Sequence, residues 1–290
     1  MPLFTDQLGR TIALDHPPRR IISLVPSQTE LLHTLGLEEE VVGITKFCVH
    51  PSQWFRHKTR IGGTKDIRPE IIDSLQPDLV IANKEENDRA QVEDLATRVP
   101  VWISDVATLS DALRMIRSVG ELTGKIQPAE ALATAIGKGF ADLGIPAGSP
   151  DPARPAKASA ENPASSGLSA LIGPRTAYFI WRKPWMVAGG DTFIHDLLHR
   201  AGFTNVFAHQ PRYPSVDLEA LSATGCELVL LSSEPYPFSG KHFAEIREAL
   251  PHALIRLVDG EIFSWYGSRL LQAPAYLQQL RVGLIRNADI

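Results

Sequence analysis

One stretch limits what this chain can become. Pro128–Leu143, PAEALATAIGKGFADL, reads as a single amphipathic helix with an alternating strand and helix pattern on each side. Pro128 suits a first helical position, where its missing N–H costs nothing, and Leu132, Ile136, Phe140 and Leu143, with Ala135 beside them, fall on one stripe. The pattern predicts an α/β chain of two Rossmann-like lobes, 1–125 and 174–290, joined by a backbone helix at 126–143. A flexible Pro/Ala/Ser-rich linker is expected at 144–173, because GIPAGSPDPARPAKASAENPASSG cannot bury enough apolar area to offset chain ordering. At 1.5 Å per residue the helix spans roughly 24 Å, about the width of a small lobe. The working surface is then expected in a cleft between the lobes.

Composition narrows the function. A net charge of −4 with mixed signs, and no block of Lys or Arg, argues against a nucleic-acid or anionic-membrane partner. Cys48 and Cys226 lie far apart without a CxxC, so free thiols are expected rather than a disulfide framework or zinc knuckle. No apolar run reaches the eighteen or more residues that would span a bilayer. The amino terminus has no basic segment followed by a long apolar core. As written, the chain reads as a cytoplasmic monomer, or as periplasmic if a leader is missing from it.

In the first lobe, Phe4–Leu14 reads as a hairpin and Ile21–Val25 as a buried strand. Pro26-Ser27 opens a helix through Leu35, with Ser27 and Glu30 expected as a capping box. Strand ends in open α/β sheets are where ligands are met, so the loops after the strands are the site candidates. After Val41–Thr45 come Phe47, Cys48 and His50; two possible ligands make only half a tetrahedral metal site, and a packed loop with Phe47 at the cleft is preferred. After Ile61, Gly62-Gly63 permits close backbone approach, and Thr64 and Lys65 either hold an anionic group or form a plain turn. After the strand Asp78–Ala82, the polar run Asn83, Lys84, Glu85, Glu86 and Asn87 is read as ligand-facing.

The second lobe concentrates aromatics. The strand Thr176–Trp181 runs into Arg182-Lys183-Pro184-Trp185-Met186, and two tryptophans with an arginine about one turn exceed what a surface loop normally exposes. Glu234, Tyr236 and Phe238 follow the strand Glu227–Leu231, and Trp265, Tyr266 and Arg269 follow Ile255–Val258. Together they predict an aromatic-walled cleft with Arg182, Glu234 and Arg269 as polar handles, suited to a bulky, flat, partly polar ligand. His195 and His199 stand at i and i+4, but Asp196 replaces the glutamate of a zinc-protease helix and no third ligand is placed. They are read as surface histidines. No nucleophile–base–acid set, phosphate loop or dinucleotide fingerprint occurs, so no catalytic residue is assigned.

The order of IISLVPSQTELLHTLG, VVGITKFCVHP, GGTKDIRPEIIDSLQPDLVIA, a helical spine and a second lobe with YPSVDLEALSA resembles the helical-backbone binding proteins of ABC uptake systems. Within that family it is most similar to the cobalamin- and iron-siderophore-binding members, and to a leaderless subgroup of metal-chelate receptors. The resemblance covers nearly the whole chain apart from the linker. It implies a non-enzymatic protein that needs no cofactor and holds a small molecule between its lobes, either cobalamin or another metal chelate of the siderophore or haem type. It also implies an ABC permease partner docked by Glu70 in the first lobe and Glu219 in the second. Phe47 occupies one of the family's aromatic cobalamin contacts, whereas Thr64 and Asn83 stand where a cobalamin binder would offer tryptophan. Two alternatives remain: a cytosolic enzyme or chelate-processing protein using Cys48, His50, Glu85 and Glu86, and a scaffold module using its aromatic face for a protein partner.

Overall fold

Short apolar runs bounded by polar turns become parallel strands in this chain where a helix follows and returns the chain across the sheet. The computed structural model describes residues 1–143 and 173–285. They divide into two units, Met1–Lys138 with Trp265–Leu271 (unit 1) and Gly139–Ser264 with Gln272–Ile290 (unit 2). The expected flexible linker lies outside the described residues but for Gly173.

Unit 1 opens with the expected hairpin, β1 (Leu3–Thr5) and β2 (Thr11–Ala13). There follow β3 (Ile21–Ser23), α1 (Pro26–Thr34), β4 (Val41–Ile44), α2 (Ser52–His57), β5 (Thr59–Arg60), α3 (Pro69–Ser74), β6 (Leu79–Asn83), α4 (Arg89–Leu95), β7 (Val101–Ser104), α5 (Leu109–Leu122) and α6 (Ile126–Ala141). The sheet is parallel, in the order β5-β4-β3-β6-β7, and one face buries Ile22, Val80 and Ile103 against Ile72 and Val92 of the helices. The hairpin covers the edge strand β7: Gln7 N–H donates to Ile103 O at 3.1 Å and Arg10 to Val101 O at 3.1 Å.

Local chemistry explains most helix boundaries. Asp88 caps α4 and Thr108 caps α5 through their side chains, and Gly124 follows α5 at φ +70°, where a side chain would be strained. The capping box expected on α1 is not formed. Val25 is the N-cap, no side chain caps it, and Ser27 lies inside the helix after Pro26. Glu30 instead accepts hydrogen bonds from Arg269. Helix α6 begins two residues before Pro128, which is compatible because the first turn has N–H groups without helical partners. It buries Ala133 rather than Ala135, along with Leu132, Ile136 and Phe140. The division between the units falls within this helix, after Lys138.

Unit 2 contains β8 (Arg175–Trp181), β9 (Trp185–Val187), α7 (Phe193–Arg200), β10 (Thr204–Asn205), β11 (Ser215–Val216), α8 (Leu218–Ala223), β12 (Leu228–Ser232), α9 (Phe243–Ala249), β13 (Leu254–Val258), α10 (Gly260–Ser264) and α11 (Ala273–Ile285). Its mixed sheet has the order β11-β9-β8-β12-β13, with β10 also on β8. Strands β8, β10, β12 and β13 are parallel, while β9 and β11 run against their neighbours. The stretch read from sequence as a loop, 182–186, is thus the turn and return strand of a β8–β9 hairpin. Thr192 caps α7 by accepting from His195 N–H. The reading of His195 as a surface residue is overturned: it is buried, its Nδ1 lying 3.3 Å from the Asn205 amide nitrogen.

Candidate functional site

In unit 1 the loop after β4 buries its thiol and exposes its aromatic ring. Cys48 is fully buried, its Sγ 3.1 Å from the hydroxyls of Thr29 and Thr45, and burial pushes the thiol pKa up. A thiol held neutral in this way is the opposite of an activated nucleophile. Phe47 instead stands 50% exposed, with the Lys46 ammonium 5.2 Å from its ring centre. His50 meets the Trp265 indole edge-on, with ring centres 5.6 Å apart. Among the described residues no group of three His, Cys, Asp or Glu side chains is placed to hold a metal ion.

The neighbouring loop is a tight turn. Gly62 has φ +107°, and a Cβ there would press on the backbone of Asp66, Ile67 and Arg68, while Gly63 N–H donates to Asp66 O at 2.7 Å. Lys65 is exposed at its tip. Asn83 and Asn87, by contrast, are buried and hold the loops together. Asn83 Oδ1 accepts from the N–H groups of Glu85 and Glu86, and its Nδ2 donates to Ser104. Asn87 Oδ1 accepts from Asn83 N–H at 2.8 Å, and its Nδ2 donates to Leu24 O at 3.3 Å and Thr64 O at 2.9 Å. Glu85 is half-buried and Glu86 exposed above this framework. The side chains that sequence reasoning presented to a ligand here are therefore of two kinds, internal amides and outward charges.

The aromatic set predicted for one lobe is divided. Trp265, Tyr266 and Arg269 belong to unit 1, where their segment lies against α1: a Cβ on Gly267 would sit 2.6 Å from Ser27 O. Arg269 pairs with Glu30 at 2.6 and 3.1 Å and lies 4.7 Å from the Trp265 ring centre. Trp265 and Tyr266 are buried.

Trp181, Trp185, Tyr236 and Phe238 remain together in unit 2, at the carboxyl ends of β8 and β12. Trp185 and Phe238 are near parallel, with centres 5.9 Å apart, and Tyr236 meets Trp181 edge-on at 5.6 Å and lies tilted against Phe238 at 4.7 Å. His242 completes the cluster. It is buried against Tyr236 and Phe238, accepts from Ser239 N–H at 3.0 Å and lies 3.3 Å from the Tyr236 hydroxyl. Phe238 is buried while Trp181 is 40% exposed, so the cluster packs inward and leaves one indole facing out. Glu234 Oε1 accepts from Ser264 Oγ at 2.9 Å. Sequence reasoning missed His242 and Glu245, the ion-pair partner of Arg182, because both lie on other elements and carry no local pattern.

Glu70 and Glu219 are both exposed, in the first turns of the short helices α3 and α8. A separate cavity of about 430 Å³ lies in unit 1 between β2 and the amino end of β7, with Arg10 and Arg98 at its rim. Asp6 pairs with the first, and Asp73 and Asp94 with the second. It is at the opposite end of β7 from the ligand-meeting loops.

The periplasmic binding protein family matches residues 21–245. The chain is 22% identical over 282 residues to the uncharacterized ABC transporter substrate-binding lipoprotein YvrC of Bacillus subtilis, covering 94% of this chain and 83% of that one. It is 23% identical over 259 residues to the vitamin B12-binding protein of Pectobacterium carotovorum, covering 88% and 86%. Among solved structures, the molybdate-bound periplasmic binding protein MolA of Haemophilus influenzae superposes with a TM-score of 0.76 at 15% identity, covering 99% and 92%.

Proposed function

We propose, from the premise that this chain belongs to the periplasmic binding protein family, that it is the substrate-binding protein of an ABC-type uptake system and takes a cobalamin-like or other metal-chelate ligand. The observation that carries the choice of ligand is the unit 2 cluster, where Trp181 presents a 40% exposed indole supported by Tyr236. A supported indole favours a flat, polarisable ligand over a small ion. The vitamin B12-binding relative fits the same ligand class. The enzymatic alternative built on Cys48, His50, Glu85 and Glu86 finds no support, since the thiol is buried and the family consists of binding proteins.

Glu70 and Glu219 are the proposed permease contacts: each stands exposed on its own unit and so is free to meet a basic pocket. Uptake would place the protein on the outer side of the membrane. Titration of the protein with a corrinoid, haemin and a ferric siderophore, followed by tryptophan emission, tests the ligand. Saturable quenching by at least one supports the reading, and none by any refutes it. Glu70→Lys and Glu219→Lys should leave ligand affinity unchanged while abolishing stimulation of the transporter's ATPase.

A further inference from the structure

Arg182 stands in the β8–β9 turn between the two tryptophans of the proposed ligand rim, and its guanidinium is already engaged. Nη2 and Nε lie 2.6 and 3.2 Å from Glu245 Oε2 on α9, and the group sits 5.4 Å from the Trp185 ring centre. Tyr236, which meets the exposed Trp181 indole edge-on at 5.6 Å, belongs to the same cluster. The turn it holds is strained, since Lys183 adopts φ +66°, the left-handed region that non-glycine residues seldom occupy. A strained turn persists only when its surroundings fix it, and here Arg182 ties the hairpin to α9 alongside the β8–β9 ladder and the packing of Trp185 on Phe179 and Phe238.

We infer that Arg182 is a positioning residue. It acts through Glu245 and Trp185 to hold Trp181 in its outward orientation, and it does not itself touch the ligand. The inference rests on the binding reading above and adds that the aromatic platform depends on an ion pair set behind it. Its Nε and Nη2 N–H groups are turned to Glu245, so the guanidinium sits as a brace behind the platform rather than being offered whole to a ligand. A platform that must be in place before the ligand arrives needs such support, because binding would otherwise have to include the ordering of the turn.

The test compares Arg182→Met, Glu245→Gln and the double variant in the full chain, with Arg182→Lys in place of Arg182→Met if that variant fails to fold. Without ligand, acrylamide quenching of tryptophan emission should rise in each variant, and this rise should disappear when Trp181→Phe is added. The dissociation constant for whichever of cyanocobalamin, haemin or a ferric siderophore the wild type binds should weaken roughly 3- to 10-fold in each single variant, the range of a partly exposed ion pair, and no further in the double. If Glu245→Gln binds as wild type while Arg182→Met is weakened, the arginine touches the ligand and the inference is overturned. Unchanged affinity in both overturns it as well. If the wild type binds none of cyanocobalamin, haemin and a ferric siderophore the functional reading fails, and the ligand-free quenching alone then decides whether Arg182 positions Trp181: a rise supports it, no rise overturns it.

Discussion

Arg269→Ala removes one side chain from unit 1 and with it the contacts to Glu30 at 2.6 and 3.1 Å and the guanidinium's approach to Trp265 at 4.7 Å. The two side chains of the pair are only 12% and 18% exposed, so neither a surface nor a fully buried value applies. Deleting one partner of a buried pair costs roughly 3–5 kcal/mol, mostly because a charge is left without its counterpart, whereas an exposed pair is worth less than about 1. Partial solvation of the abandoned Glu30 carboxylate puts the expected loss at about 2–3 kcal/mol. Because much of that is the stranded charge, Glu30→Ala made in the same chain should restore part of it, with a coupling of about 1–2 kcal/mol. Urea denaturation followed by far-UV circular dichroism would show it as a midpoint shift of about 1 M at ordinary slopes. A loss below about 0.5 kcal/mol, or zero coupling between the two sites, would refute the claim that this pair fastens residues 265–271 to α1.

Three further outcomes follow. Cys226 ionises at 9.0 when exposed, and burial pushes it up to about 11, so between those values the unfolded chain loses the proton first and stability falls as pH rises. Cys226→Ala should remove a part of that alkaline loss on the order of 2 kcal/mol, read from denaturation midpoints at pH 8 and 11. Gly43→Ala would place its methyl 2.9 Å from Leu75, 3.0 Å from Ile61 and 3.2 Å from Ile22, and overpacking of that kind should cost about 1–3 kcal/mol in thermal unfolding. Asn87→Ala strands the buried carbonyls and amide it serves, and should cost about 2–3 kcal/mol while raising protease cleavage in residues 62–66 and 83–88.

The alternation of strands and helices was legible where a strand is a short apolar run, as at β3, β6 and β12, and where a helix carries its own stripe or cap, as at α4, α5 and α7, all of it local. Asp88, Thr108 and Thr192 could be expected to cap because a cap needs nothing beyond the next three residues. Glu30 shows where that logic stops. Its spacing from Ser27 satisfied a capping box, but Pro26 moved the helix start and Arg269, distant in sequence, took the carboxylate. Helix α2 is too short and polar to announce itself, and β5 is only Thr59–Arg60. At the candidate site, residue type predicted proximity to strand ends but not orientation. Asn83 and Asn87 are as polar as Glu85 and Glu86, yet the amides can satisfy both donors and acceptors inside a loop, while the carboxylates only accept. The aromatics likewise could be placed near strand ends, but which of them pack inward, as Phe238 does, depends on partners such as His242 that sequence spacing does not reveal.

Isothermal titration calorimetry of the full chain with cyanocobalamin, haemin and a ferric hydroxamate tests the receptor assignment most directly. The account predicts that at least one binds at one-to-one stoichiometry with a dissociation constant of about 1 μM or tighter, and that Trp181→Ala weakens it at least about tenfold. Folded protein that takes up none of the three, or that binds one of them equally well without the Trp181 indole, would contradict it.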